Sequence, residues 1–446
     1  MMSAPDLKSS APILIEGHNL TLAAGTGIAT YARQLASALR RLQYDTSVLI
    51  GANRGISKKD PALAQIALFD AERKPTLLTE AANEWRRLTV SPWAARATMV
   101  RPDATIVEGG SGRFSSFSAV HVVPHLMVRE FAHFRRFGKR LRVKLDVQPG
   151  LFHATRPAPL SVTGCPNIYT LHDIVPLRLP YTTMDDKKLY LGIIRELCRT
   201  ADHIVTVSEF SRQDIIRLTG ISEHRITNTY QAVSLPPQLL GRDQSAVESE
   251  LEALFKLSFG EYFLFLGALE PKKNVSRLID AFAASGTKRP LIITGGDGWM
   301  NEREAKKIES EQFLNYRVDG SLIRPERTVR RFPYLPLDHL VSLIRGARAV
   351  LFPSLYEGFG LPVLEAMLLG TPVMTSNVSS LPEIAGDAAL LVDPYDVEAM
   401  SRAIRDLDAD NGLRSELAAR GRLRAEVFSA KAYERRLTSL YAVLHN

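Results

Sequence analysis

A chain of 446 residues is too long for one ordinary core and predicts two or three domains of roughly 100–200 residues each. With 45% apolar and 23% charged residues it has a soluble globular composition, and no apolar run approaches the ~20 residues that span a bilayer. Two cysteines are too few for a disulfide framework or a structural zinc site, and the charge of +8 points to anionic partners without choosing among nucleic acid, phosphorylated substrates and membrane. The N-terminus, MMSAPDLKSSAP, lacks a basic segment followed by an apolar run, so no secretory signal is expected and the expected setting is the cytoplasm.

In chain order, the first unit reads as a strand at Ile13–Glu16, a loop bearing Gly25 and Gly27, and a helix. In that helix Ile28, Tyr31, Leu35, Leu39 and Leu42 recur at spacings of three and four. Strands are predicted at Ser47–Ile50, Ala104–Val107, Asn167–Leu171 and His203–Val207, with a helix over Phe210–Leu218 after a Ser208 cap. The pattern breaks after Val233. Residues 235–260 carry paired prolines and mixed charge and predict an interdomain connection with a short helix. Alternation restarts with strands at Tyr262–Leu266, Leu291–Thr294, Arg331–Tyr334, Ala349–Phe352, Pro372–Thr375 and Ala389–Val392. The expected fold class is α/β, with two doubly wound Rossmann-like domains facing each other across a cleft. The expected divisions are 1–234, the connection 235–260, a second domain at 261–425, and a last helix at 426–446 returning toward the first domain.

Two segments carry candidate chemistry. In YFLFLGALEPKKNVSRLIDAF a strand ends at Leu266, Gly267 allows a tight turn, and Asn274 is a good helix N-cap. Lys272 and Lys273 then stand beside a helix N-terminus, where free N–H groups already favour anions, and form a diphosphate clamp or else a solvated surface pair. In LFPSLYEGFGLPVLEAMLLGTPV a strand runs into a glycine loop, Pro362 suits the first helical turn, and Gly370 stops the helix. Glu357 in the loop and Glu365 about one turn inside the helix can face the same mouth. The N–H groups of Phe359, Gly360 and Leu361 are left to donate toward a ligand. GGDGW, with Gly295, Gly296 and Gly298, reads as a turn at the cleft rim.

Glu357 and Glu365 within EGFGLPVLEAM resemble the paired-glutamate motif of retaining family 4 glycosyltransferases of the GT-B fold. GALEPKKN, GTPV and SSLPEIAGDAALLVDP resemble the same family, and the resemblance covers most of the chain, densest from Tyr262 to Pro394. It implies that Glu365 holds the donor ribose, and that Glu357, Phe359, Gly360 and Leu361 contact the transferred sugar. Lys273, with Gly267 and Lys272 in the same loop, is implied on the diphosphate. His172, in YTLHDIVPL, is similar to the family's active-site histidine near the donor sugar, although a histidine after a strand is also an ordinary hydrogen-bonder. The implied reaction centre is therefore Glu357, His172 and Lys273, with Gly25 and Gly27 on the acceptor side. Many relatives carry an arginine after the phosphate-loop glycine, where this chain has Ala268, and Lys272 is the candidate replacement. Ser208 and Glu209, in VTVSEFSRQDI, read as helix capping.

The implied activity is transfer of a hexose from a nucleoside diphosphate sugar to a hydroxyl with retained configuration, without a cofactor or metal. Within the family the forms ALEPKKN and EGFGLPVLEAM resemble the mannosyltransferase-like branch of bacterial polysaccharide and lipopolysaccharide assembly. That favours GDP-mannose as donor and a glycan or lipid-linked acceptor. The donor base is not legible from side chains, and no nucleophile is named. The competing reading is a catalytically inactive sugar-nucleotide-binding scaffold of the same fold. A nicotinamide oxidoreductase would need G-x-G-x-x-G after the first strand, which Ala24–Thr30 does not supply, and no nucleic-acid motif accompanies the dispersed basic residues. One segment concentrates charge: from His125 to Lys144 there are seven Arg or Lys against Glu130 alone, interleaved with aromatics. It predicts peripheral contact with the anionic inner face of a membrane, or else a helix packed on the sheet with its charges in water, and Gly138 argues against one continuous helix.

Overall fold

In the computed structural model, which describes residues 11–21, 27–52, 60, 63–66, 92–102, 114, 116–319 and 322–444, strands and helices alternate through both halves. Strands such as Leu151–Ala154 and Phe263–Leu266 are buried along their whole length, as in sheets covered on both faces. Among the described residues the N-terminal sheet has eight strands. Their spatial order is Ile226–Asn228, His203–Thr206, Asn167–Thr170, Leu151–Ala154, Ile13–Glu16, Thr46–Ala52, Ala119–Pro124 and Thr98–Val100. Only the edge pair Thr98–Val100 and Ala119–Pro124 is antiparallel. The C-terminal sheet is parallel, in the order Val329–Phe332, Leu291–Thr294, Phe263–Leu266, Ala349–Phe352, Val373–Ser376 and Leu390–Val392. Two doubly wound α/β units result, as the sequence predicts.

Several strands differ from expectation. The one expected at Arg331–Tyr334 is Val329–Phe332, because fully buried Val329 pairs with Leu291 and sets the register. Ala119–Pro124 and Leu151–Ala154 are not apparent in the apolar pattern, since His121 and His153 interrupt it. Burial pushes the imidazole pKa of His121 down to about 4 and that of His153 to about 3, so both sit in the sheet as neutral rings. The antiparallel hairpin Leu314–Asp319 and Leu322–Arg327 is also additional. Gly25 and the strand expected at 104–107 lie outside the described residues.

Residues 235–260 form short helices, Pro237–Leu240 and Gln244–Glu250, and the wide turn Leu251–Phe255. Arg242 Nη1 donates to Ser342 Oγ at 2.7 Å, and Glu250 Oε1 meets His339 Nδ1 at 2.6 Å, so this stretch rests on the helix Leu337–Gly346. The last helix, Ala430–Leu444, lies against the N-terminal sheet unit, where Tyr441 Oη meets His153 Nδ1 at 2.7 Å and Arg41 pairs with Glu434.

Candidate active site

Phe263–Leu266 has Leu291–Thr294 on one side and Ala349–Phe352 on the other, so the strand order reverses between the first and last of these. Loops leaving neighbouring strands at such a point diverge and open a crevice at their carboxyl ends, where ligands of this fold class bind. Both candidate loops leave from that point. Gly267 follows the first strand at φ 144°. Asn274 then precedes the helix Val275–Ser285, but its side chain does not cap it. Instead Nδ2 donates to the carbonyls of Pro353 at 3.1 Å and Pro394 at 2.7 Å, which ties three loops together. The expected N-cap is thus a strut: the two carbonyls hold Nδ2, and Oδ1, the atom that would cap, accepts from Arg277 Nη1 at 2.9 Å.

Lys273 and Glu357, 84 positions apart, form the centre of this crevice: Nζ donates to Oε1 at 2.6 Å and lies 4.8 Å from the centroid of the Phe352 ring. Burial would raise the Glu357 pKa, but Lys273 and Lys272 outweigh it and hold the carboxyl below its usual range. Lys272 is also buried against its charge, yet Glu357, Asp173 and Glu270 raise its pKa. Its Nζ is 3.9 Å from Glu270 Oε2. Lys272, Lys273, Glu357 and Glu270 therefore share one mouth.

The loop carrying Glu357 is held from behind. Glu357 N donates to Ser379 Oγ at 3.1 Å, and Ser380 Oγ donates to the carbonyls of Glu357 at 2.9 Å and Phe359 at 2.7 Å. Ser379 itself has φ 58°, a left-handed conformation that costs a serine of order 1 kcal/mol or more and is retained only where surroundings impose it. Gly360 takes φ 122° at the start of the helix Leu361–Leu369. The N–H groups of Phe359, Gly360 and Leu361 have no hydrogen-bond partner among the described residues. Glu365, inside that helix and half-buried, has no hydrogen bond or ion pair there either, and burial pushes its carboxyl pKa up to about 7. Aligned donors and an unpaired carboxylate together suit a ligand bearing an anion and hydroxyls.

The N-terminal sheet supplies the opposite wall. After Asn167–Thr170 the chain turns at His172, whose Nε2 lies 3.0 Å from the carbonyl oxygen of Thr155. Its ring meets Tyr31 edge-on, with centroids 4.8 Å apart at 89°. Burial lowers its pKa, so the ring is neutral and Nε2–H donates to that carbonyl. The two walls touch at Gly358. A Cβ there would stand 2.7 Å from the His172 carbonyl oxygen and 2.9 Å from Asp173 Oδ2, so only glycine allows this approach. Behind the turn lies a cavity of about 970 Å³, lined by Ile28, Phe131, Arg156, Asp186 and Tyr190 among others. Tyr190 Oη donates to the Asp173 carbonyl at 3.1 Å, and Arg156 follows the residue that holds His172.

Models of two families match the chain: glycosyl transferases group 1 over residues 251–424, and glycosyltransferase family 4 over residues 101–235. The chain belongs to the family 4 glycosyltransferases. Its matched region is 36% identical over 267 residues to the O-antigen chain mannosyltransferase B of Escherichia coli, covering 59% of this chain and 66% of that one. It is 30% identical over 268 residues to the serotype-specific mannosyltransferase WbdA of E. coli, covering 58% of this chain and 31% of the relative. The matches thus span less than two thirds of these relatives. The chain also has the fold of Anabaena HepE, solved with UDP and glucose (TM-score 0.64, 14% identity, 97% and 100% of the two chains). It likewise resembles WaaG, a glycosyltransferase involved in lipopolysaccharide biosynthesis (TM-score 0.57, 14% identity, 96% and 99%). The fold is GT-B.

Gly267, Lys272 and Lys273 follow one strand of the switch point and Glu357, Phe359, Gly360, Leu361 and Glu365 follow the other; the structure joins the two groups through Lys273 and Glu357 and brings the His172 carbonyl against Gly358. Gly27 begins the helix Gly27–Arg41, whose next residue, Ile28, lines the N-terminal cavity. Ser208 Oγ accepts from Ser211 N at 3.0 Å and is a cap. Trp299 of the GGDGW turn reaches across the cleft, its Nε1 donating to the Thr182 carbonyl at 2.6 Å. Ser379, Ser380 and Glu383 went unassigned by sequence reasoning, although the quoted segment SSLPEIAG contains them. The basic stretch divides as Gly138 suggests, into the helix Leu126–Phe137 and the strand Leu141–Lys144. Arg135, Arg136 and Lys139 are exposed, as are Met127 and Phe137, while Phe134 is buried. Arg140 differs from its neighbours: it donates to Tyr169 Oη at 2.7 Å and to the Thr200 carbonyl at 2.9 Å, so it serves the fold. No helix among the described residues is long and apolar enough to cross a membrane.

Proposed function

We propose that this glycosyltransferase moves a hexose, with mannose favoured, from a nucleoside diphosphate sugar to a hydroxyl of a glycan or lipid-linked acceptor in polysaccharide synthesis, with retained configuration. The observation that carries the reading is the Lys273–Glu357 pair at 2.6 Å, on the same loop that leads through the unpartnered N–H groups of Phe359, Gly360 and Leu361 into the helix of the unpaired Glu365. On this reading Lys273 and Lys272 take the diphosphate, Glu365 accepts from the ribose, and Glu357 turns to the sugar hydroxyls once Lys273 leaves it for phosphate. Charge accumulates on the leaving diphosphate as the anomeric bond breaks, and cations and amides fixed in place stabilise that charge without reorganising. His172, neutral and held by Thr155, faces the sugar from the other wall. The preference for mannose rests on the relatives being mannosyltransferases, and the acceptor is assigned to the cavity side of the N-terminal sheet. GDP-mannose should raise the melting temperature more than UDP-glucose, and GDP alone should account for most of the gain. Absence of any shift with both donors and both diphosphates would overturn the proposal, whereas a shift without transfer leaves the inactive scaffold.

A further inference from the structure

The helix Glu209–Thr219 on the N-terminal side illustrates how the two sheets are joined. The first N–H groups of any helix lack intrahelical partners and carry the positive end of its dipole. Ser208 satisfies only that of Ser211. The other two are taken by Glu383 of the C-terminal side: Glu209 N donates to Oε1 at 2.7 Å and Phe210 N donates to Oε2 at 3.0 Å. Tyr230 Oη adds a third hydrogen bond to Oε1 at 2.8 Å. A carboxylate shared by two aligned amides and a phenol is a strong, directional grip.

The same two elements both reach the glycine loop. Ser380, three residues before Glu383, donates to the Glu357 and Phe359 carbonyls. From the helix, Ser211 Oγ donates to the Gly358 carbonyl at 3.3 Å, and Asp214 Oδ2 accepts from Tyr356 Oη at 2.7 Å. Phe210 packs edge-on against Tyr356, with centroids 5.5 Å apart. The loop holding Glu357 is thereby gripped from both domains, and Glu383 is the carboxylate that fastens one grip to the other. Gly358 has no room to shift, since it already lies against His172 and Asp173.

We propose that Glu383 is a positioning residue for the transfer reaction: by binding the start of the Glu209–Thr219 helix it sets the height of the glycine loop over the His172–Asp173 turn. The role rests on the glycosyl-transfer reading above. It predicts a division of effects, because Lys273 and Glu365 belong wholly to the C-terminal side while the sugar site is shared. Glu383→Ala should lower kcat by roughly 10²-fold, the scale of a misplacement of about 1 Å, and should leave the affinity for nucleoside diphosphate within about threefold of wild type. Glu383→Gln keeps one acceptor oxygen and turns an amide N–H toward a backbone N–H, so its kcat should fall nearly as far. Tyr230→Phe removes one hydrogen bond without touching the packing and should give the smallest loss in the same order.

Three measurements test this on the full-length protein. Initial rates with donor and acceptor give kcat and KM. Calorimetric titration with GDP and UDP gives donor-side affinity. Small-angle X-ray scattering, which needs no turnover, should show a larger radius of gyration for Glu383→Ala than for wild type. Wild-type kcat in both Glu383 variants, or equal loss of kcat and diphosphate affinity, overturns the positioning role. So does an unchanged radius of gyration in Glu383→Ala. If Glu383→Ala does not fold, the kcat order of Glu383→Gln and Tyr230→Phe decides. A wild-type protein that transfers no sugar refutes the functional reading, and scattering still judges the grip.

Discussion

Replacing Lys273 by alanine strands the Glu357 carboxylate in a place where water solvates it poorly, since the two side chains are only 13% and 10% exposed. Removing one partner of a buried ion pair costs roughly 3–5 kcal/mol, because the remaining charge is uncompensated. Lys272 still acts on Glu357, which places the expected loss near the lower end, about 3 kcal/mol. For a folding unit of 150–250 residues each kcal/mol lowers Tm by roughly 2–4 °C, so a drop of about 6–12 °C is expected near neutral pH. The pH dependence fixes the cause. In the wild type the folded-state pKa of Glu357 is depressed, so its stabilisation is present above the unfolded value of about 4.3 and is lost as pH falls through the folded one. In the variant burial is opposed only by Lys272 and Ser354, and the stranded carboxyl sheds its penalty by taking up a proton. The Tm gap between the two proteins should therefore be widest at neutral pH and narrow toward pH 4. Transfer should fall roughly 10²–10³-fold, the usual loss on removing a charge-stabilising donor. Differential scanning calorimetry from pH 4 to 8, with initial rates on a nucleoside diphosphate hexose, reads both effects. A gap that does not vary with pH, together with transfer within about threefold of wild type, would refute the pairing argument.

The two glutamates separate by ligand. Glu365→Gln should weaken both diphosphate and full donor, Glu357→Gln should spare the diphosphate and damage transfer, and titration calorimetry showing the reverse exchanges their roles. Because burial raises the Glu365 pKa to about 7, its ionisation opposes folding increasingly from about pH 4.3 to 7 and by a constant amount above that. Glu365→Gln should accordingly melt above wild type by a margin that grows over that window, and an equal margin at pH 4 and pH 8 contradicts it. Gly358→Ala places a Cβ 2.7 Å from the His172 carbonyl oxygen; it should abolish transfer yet bind GDP normally, and ordinary turnover would show that the walls need not meet. Sedimentation with anionic liposomes should pull down the wild-type protein at low salt and release it when Arg135, Arg136 and Lys139 become glutamine. A protein that stays in the supernatant makes the basic segment a solvated face.

The donor side was legible because its chemistry is local. A strand ending at Leu266, the turn at Gly267, two lysines and the start of a helix at Val275 follow one another directly, and EGFGLPVLEAM carries Glu357, the glycines and Glu365 on one loop and the helix that follows it. Side-chain alternation, turn glycines and Pro362 at a helix start are properties of neighbouring residues, so composition and order alone determine them. The sequence likewise determined the two doubly wound units, because strand and helix periods differ. What it left open depends on docking. Lys273 meets Glu357 across 84 positions. Asn274, locally a good cap, is drawn to two carbonyls from other loops. Arg140, within a run of exposed cations, is pulled inward by Tyr169 and Thr200. Glu383 finds the amides of Glu209 and Phe210 only after the two sheets have come together. Such contacts follow from how two finished surfaces meet, and a carboxylate's partner there is chosen by the geometry of both domains rather than by the residues beside it in the chain.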